Sequence, residues 1–173
     1  MEKEEIIKEF EKIRDIPYRI ALSPEESSDD CLGKANRLFN VLKKYGYEVR
    51  YRICKIKWST ISLPKEIAAL PHSDDCSHAY LEVNIEGEWK IIDPTWDKGL
   101  KNIFHVNEWD GKSDNELAIA SLGYLSPEES INHIKNITTR EAILSDLNES
   151  AEFYRALNNW LEKCRDSINY ENK

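Results

Sequence analysis

The sequence is short of the residues that mark several classes of protein. Among 173 residues there are only four cysteines, Cys31, Cys54, Cys76 and Cys164. They are too few and too irregularly spaced for a disulfide framework or a paired Cys-x-x-Cys zinc site. The expectation is four free thiols in a reducing compartment, each a buried small hydrophobe or a reactive group. No basic block exceeds a few residues, and 24 Lys and Arg stand against 32 Asp and Glu, a net charge of −8. Sequence-independent nucleic-acid binding, which needs clustered cations on phosphates, is therefore not expected. No apolar run approaches the roughly 20 residues of a membrane span. The opening Met1-Glu2-Lys3-Glu4-Glu5 mixes charges where a secretory signal has a basic region followed by an apolar one. The expected location is cytoplasmic, with no membrane partner.

What the chain does have is large apolar side chains: five Trp, eight Tyr and four Phe within a 40% hydrophobic composition. That is enough for one core, and the length fits one domain over residues 1–173. Internal repeats and low-complexity linkers are absent. Ile6, Ile7, Phe10 and Ile13 at helical spacing predict a helix from about Lys3 to Asp15, ended by Pro17. A polar turn region, Ser23 to Asp30, leads to a second helix from Cys31 to Tyr45. Leu32, Ala35, Leu38, Phe39 and Leu42 share one face, Asp29 or Asp30 is placed to cap the start, and Gly46 to close the end.

Tyr47, Val49, Tyr51 and Ile53 then alternate with charged residues, the period of a half-buried strand. A short helix is expected between Pro64 and Leu70. Tyr80 to Ile85 and Glu88 to Ile92 predict a hairpin turning on Glu86-Gly87. Residues 99–123 carry no assignable pattern. Ser126-Pro127-Glu128-Glu129 is a capped helix start, and Thr138 or Thr139 can cap a longer helix. In that helix Leu147, Ala151, Tyr154, Leu157, Leu161, Cys164 and Ile168 recur every three or four residues, which places Cys164 in the core.

The chemistry concentrates on three residues. Cys31 lies in the first turn of a predicted helix, where unpaired N–H groups and the macrodipole favour a thiolate. Asp29 and Asp30 oppose this, because neighbouring negative charge raises a thiol pKa. In a hairpin turning on Glu86-Gly87, Tyr80 lies opposite Asp93 and His78 opposite Thr95. His78, Tyr80 and Asp93 thus project from one face, and diagonal neighbours such as His78 and Asp93 have Cβ atoms about 7 Å apart. A carboxylate there fixes one histidine tautomer and leaves the other ring nitrogen for a thiol.

These segments also carry a resemblance. Cys31-Leu32-Gly33-Lys34-Ala35, with Leu42, Gly46, Tyr47 and Val49-Arg50, resembles the nucleophile helix and following strand of the transglutaminase-like superfamily. His78-Ala79-Tyr80-Leu81-Glu82-Val83, Gly87-Glu88-Trp89 and Asp93-Pro94-Thr95-Trp96 resemble its His and Asp strands. The likeness runs from about Ile16 to Gly111 and is to a small, prokaryotic-type single-domain member. It implies an α+β fold with a papain-like core over about 16–111, a nucleophile cysteine at a helix N-terminus packed on an antiparallel sheet, and a helical C-terminal extension over about 124–170. It further implies Cys31 as nucleophile, His78 as general base and acid, Asp93 as orienting carboxylate, and acyl transfer through a thioester. The backbone N–H of Cys31 is one oxyanion donor on this reading, and Tyr18 is the candidate for the second. Where members frequently carry Gly before the nucleophile and Trp two residues after the histidine, this chain has Asp29-Asp30 and Tyr80.

The expected activity is a cysteine hydrolase or acyltransferase acting on a peptide or protein amide. Peptidase or amidase chemistry is favoured over crosslinking, because a small domain shows no provision for excluding water. The alternative is a non-catalytic binding module that keeps the fold. No cofactor or metal is expected: there is no Asp-x-Asp-x-Asp-Gly calcium loop, and His72, Cys76 and His78, with Cys54 upstream, match no common zinc spacing. Cys76 is expected as an ordinary loop thiol, the alternative being a redox-sensitive neighbour of His78 on the same cleft; His105 and His133 are expected as surface or structural residues, and at least half of Tyr18, Trp58, Trp96 and Trp109 as core. Nothing in the sequence sets an oligomeric state.

Overall fold

Ile6, Phe10 and Ile13 recur along one face and all three are buried, and they make the apolar side of the first helix, α1 (Glu2–Arg14). The computed structural model describes residues 2–171, with side chains from 3 to 165. After an irregular segment the chain enters α2 (Cys31–Lys44), capped by Asp30 and followed by Gly46 at φ 81°. Next come β1 (Val49–Lys57), a short α3 (Lys65–Ala68) behind Pro64, β2 (Asp75–Ile85) and β3 (Glu88–Ile92). A two-residue strand β4 (Gly123–Tyr124), α4 (Pro127–Ile137) and the long α5 (Arg140–Glu171) complete the fold. Among the described residues no helix is long and apolar enough to cross a membrane.

The architecture is mixed α+β, built on one curled antiparallel sheet of order β3-β2-β1-β4. Glu86 (φ 53°) and Gly87 (φ 90°) both lie in left-handed space, which lets a two-residue turn match the twist of its strands. Ile85 therefore pairs with Glu88 and Leu81 with Ile92, the register expected from the turn.

Each face of the sheet is covered. Val49, Leu81, Val83 and Ile92 pack on Ile6 and Phe10 of α1 and on Ala35, Leu38 and Leu42 of α2. The opposite face, with Cys54, Ile56 and Tyr80, packs on Phe153, Tyr154, Leu157 and Leu161 of α5 and on Tyr18, Trp58 and Trp96. The alternation read over Tyr47 to Ile53 covers only the first part of β1. Beyond Ile53 the strand runs on through Cys54 and Ile56, buried against α5. β4 was not anticipated, since two residues are too short to show a period. Cys164 is only half-buried at the edge of this core, and the side chain of Ile168 lies outside the described residues.

Candidate active site

Cys31 is the first residue of α2. Asp30 Oδ1 accepts from the N–H of Gly33 at 2.9 Å, an N-cap that satisfies one free donor of the first turn. A Cβ on Gly33 would stand 2.0 Å from the carbonyl oxygen of Ser28. Only glycine lets the loop preceding Cys31 press against the helix this closely. The two acidic neighbours are both occupied: Asp30 caps the helix, and Asp29 pairs with Arg37 at 2.8 Å. Lys34, one turn further on, is fully buried and donates from Nζ to the carbonyls of Arg14 (2.7 Å) and Thr95 (2.9 Å). It fastens the end of α1 and the loop after Asp93 to the Cys31 helix, and burial brings its pKa down to about 8.

His78 and Asp93 are both at 0% exposure, with His78 Nε2 2.7 Å from Asp93 Oδ2. An ionised carboxylate only accepts, so the proton of that bond sits on Nε2. Asp93 also accepts from Thr95 Oγ1 (2.6 Å) and from the N–H groups of Thr95 (3.2 Å) and Ala118 (2.8 Å). Asn115 and Asn107 hold its backbone N–H and carbonyl. The other ring nitrogen, Nδ1, is buried without a hydrogen-bond partner. Cys31 is coupled electrostatically to this ring and to the N–H of Ala79, close enough to affect both titrations while short of hydrogen-bond geometry at Nδ1.

The protonation balance follows from these contacts. Burial opposes charge on His78, but the Asp93 carboxylate outweighs it and raises the imidazole to about 10. Burial likewise opposes charge on Asp93, and His78 nevertheless holds its pKa below the ordinary value. Burial pushes the Cys31 thiol up; the His78 ring and the Ala79 N–H pull it down, and Asp30 adds to the rise. These directions favour an imidazolium held by Asp93 facing a neutral thiol.

Cys31 and His78 line a cleft of about 880 Å³, with Asp93 buried behind the histidine. One side is the segment from Tyr18 to Ser28 and the start of α2, the floor is β1 and β2, and the far wall is the corner between α4 and α5. Tyr18 lines the cleft, but its backbone N–H is donated to Asp97 Oδ2 at 2.9 Å. Only its hydroxyl remains for an oxyanion role. Burial, with the negative forms of Cys31 and Asp30 nearby, holds that hydroxyl well above the usual tyrosine range, so it stays a donor.

Cys76 is corrected from a loop thiol to a residue of β2 that lines the cleft, where burial raises its thiol to about 11. His133 has the structural role expected, its Nε2 2.9 Å from Ser77 Oγ, and it also lines the cleft, with its pKa lowered by burial. His72 stacks on Phe153 at 4.0 Å and bonds through Nδ1 to the Leu70 carbonyl. His105 is exposed beside Glu116. Among the described residues no three His, Cys, Asp or Glu side chains gather as a metal site. Tyr18, Trp58, Trp96 and Trp109 are all buried, and Tyr18 and Trp58 line the cleft as well. The sequence reading missed Asp146 and Leu147, which α5 brings to the far wall. Their spacing along α5 shows them as helix residues and gives no sign that they face Cys31.

Comparison with protein-family models, with curated proteins and with solved structures finds no match to this chain. The functional reading rests on the side chains themselves.

Proposed function

We propose that the protein is a thiol-dependent hydrolase or acyltransferase acting on amide bonds, with a papain-like, transglutaminase-like arrangement of Cys31, His78 and Asp93. One observation carries this reading: a buried His78–Asp93 pair leaves a single unpartnered ring nitrogen beside a thiol at a helix N-terminus. A merely structural histidine satisfies both nitrogens when buried.

In the proposed reaction the resting site first loses one proton, leaving either thiol and neutral imidazole or the thiolate–imidazolium pair. Cys31 Sγ attacks the acyl carbon, and its proton resides on His78 Nδ1. As the tetrahedral intermediate collapses, the C–N bond breaks and Nδ1 delivers that proton to the departing amine. Water then attacks the thioester, giving a proton to Nδ1. The C–S bond breaks, the acid departs, and the proton returns to sulfur. Asp93 holds the Nε2 proton throughout and stabilises the imidazolium. The Tyr18 hydroxyl and the Cys31 N–H serve the oxyanion. Water is the favoured acceptor, so peptidase or amidase chemistry is preferred to crosslinking.

The competing reading, a binding module that keeps the fold without catalysis, is favoured by the neutral-pH state itself. With the thiol pushed up by burial and His78 charged until about 10, neither group accepts a proton at pH 7. Thiol alkylation separates the two. On the enzyme reading, iodoacetamide labels Cys31 faster than Cys54, Cys76 and Cys164. Its rate climbs about tenfold per pH unit from neutrality toward the first ionisation, and His78→Ala removes the advantage. Slow labelling of Cys31, equal to that of the other thiols at every pH and indifferent to His78→Ala, overturns the enzyme reading and leaves the binding module.

A further inference from the structure

We propose that the acyl group this site accepts is bulky and apolar, and that the corner between α4 and α5 selects it. The proposal rests on the hydrolase reading above and names its substrate class. Most polar side chains lining the cleft already have partners: Asp30 caps α2, Ser77 meets His133, Glu26 pairs with Arg19, Arg37 with Asp29 and Asp75 with Lys57. Beside Ser27, Asn36 and Lys55, what remains for a ligand is apolar surface: Ile56 and Trp58 on the floor, Ile119 beside them, and Ile143, Leu147 and Tyr154 from α5. A cleft of about 880 Å³ lies at the upper end of ordinary ligand pockets, roughly 300–1,000 Å³. It has room for far more than an acetyl group beside Cys31.

One group in the far wall sets a second preference. Asp146 accepts from the Tyr154 hydroxyl at 3.0 and 2.9 Å, and among the described residues no cation pairs with it. Exposed on the cleft wall, across from Lys55 of β1 and with Arg37 already held by Asp29, this carboxylate repels an acyl chain that ends in another carboxylate. The site therefore discriminates twice, for apolar bulk through the α5 wall and against anionic ends through Asp146.

The test uses p-nitrophenyl esters with the full-length protein. Sγ–C forms as C–O breaks to release p-nitrophenolate, and water then cleaves the thioester to the acid. One arm runs acetyl, butyryl, octanoyl and succinyl esters; the other compares N-acetylglycyl with N-acetylleucyl esters, so that straight chains and amino-acid side chains are separated. kcat/KM is expected to rise by about fourfold per buried methylene until the wall is reached, and Leu147→Gln should bring the octanoyl-to-acetyl ratio down toward one. Asp146→Asn should raise the succinyl-to-butyryl ratio severalfold. A flat series in both arms, or succinyl preferred over butyryl, overturns the proposal.

Calorimetry with octanamide on Cys31→Ala protein gives a readout free of catalysis. Binding there, weakened by Leu147→Gln, supports the apolar site even if no ester is turned over, in which case the hydrolase reading alone has failed. Ester turnover with a flat series and no octanamide binding leaves the hydrolase reading and removes this one.

Discussion

Asp93 accepts from four groups, the His78 ring, the Thr95 hydroxyl and the backbone N–H groups of Thr95 and Ala118. It therefore orders the 94–118 loop as well as the histidine. Removing one partner of a buried ion pair leaves the other uncompensated, at a cost of about 3–5 kcal/mol. Asp93→Ala is expected to lose that much stability in urea unfolding near pH 6. The loss depends on pH in a definite direction. His78 is raised from 6.5 to about 10 in the folded protein, so its share is fully present below 6.5 and fades as the pH climbs through 10. Asp93 is held below 3.8, so its share is present above 3.8 and fades in acid. The difference between wild type and Asp93→Ala should thus be largest between about pH 4 and 6.5 and shrink by pH 10. A pH-independent difference would mean that the pair carries no charge. The His78–Asp93 diagonal was legible in the sequence because hairpin register follows from turn length alone. Asp30 does oppose the thiolate, as its charge implies, but nothing in the sequence shows Arg37 reaching Asp29 or the Asp30 carboxyl turning onto Gly33.

Among the elements, α2 depends on one missing atom. The Ser28 carbonyl occupies the space in which a Gly33 side chain would lie, and the backbone of residues 19 and 29 is cross-bonded just upstream. Gly33→Ala has no conformational penalty within a helix, yet its methyl must displace backbone. Overpacking of this kind costs about 1–3 kcal/mol, and here it also lifts the loop that walls the Cys31 side of the cleft. The variant should melt lower and lose the preferential alkylation of Cys31; an unchanged melting temperature together with wild-type labelling would show that the loop yields at no cost. The helices, the hairpin and the Ser126–Glu129 capping box were legible because each is specified within a dozen residues. β4 and residues 99–123 were not, because their order comes from distant partners: Leu122 N–H on the Lys55 carbonyl and Asn115 on Asp93 and Glu108.

At the scale of the molecule, the resemblance suggested a core ending near Gly111 with a helical extension, but the packing does not separate along that line. Phe153, Tyr154, Leu157 and Leu161 of α5 share one cluster with Cys54, Ile56, Tyr80 and Trp96. Arg165 binds Asp97 in a fork at 3.0 and 2.7 Å and the Tyr18 carbonyl at 3.1 Å, so α5 holds both the segment that carries Tyr18 and the loop that follows Asp93. Asn158 adds paired bonds to the backbone of Ile20. A chain cut after Gly123 would expose the α5 side of the sheet along with Trp58 and Trp96, and it would leave Asp97 buried without its cation. Such a chain is expected to lose cooperative unfolding and the near-ultraviolet dichroism of its tryptophans, whereas the full chain unfolds in one transition. If the shortened chain instead melts sharply and still labels selectively at Cys31, residues 124–173 are an appendage, and the apolar wall assigned to α5 cannot be what aligns the substrate.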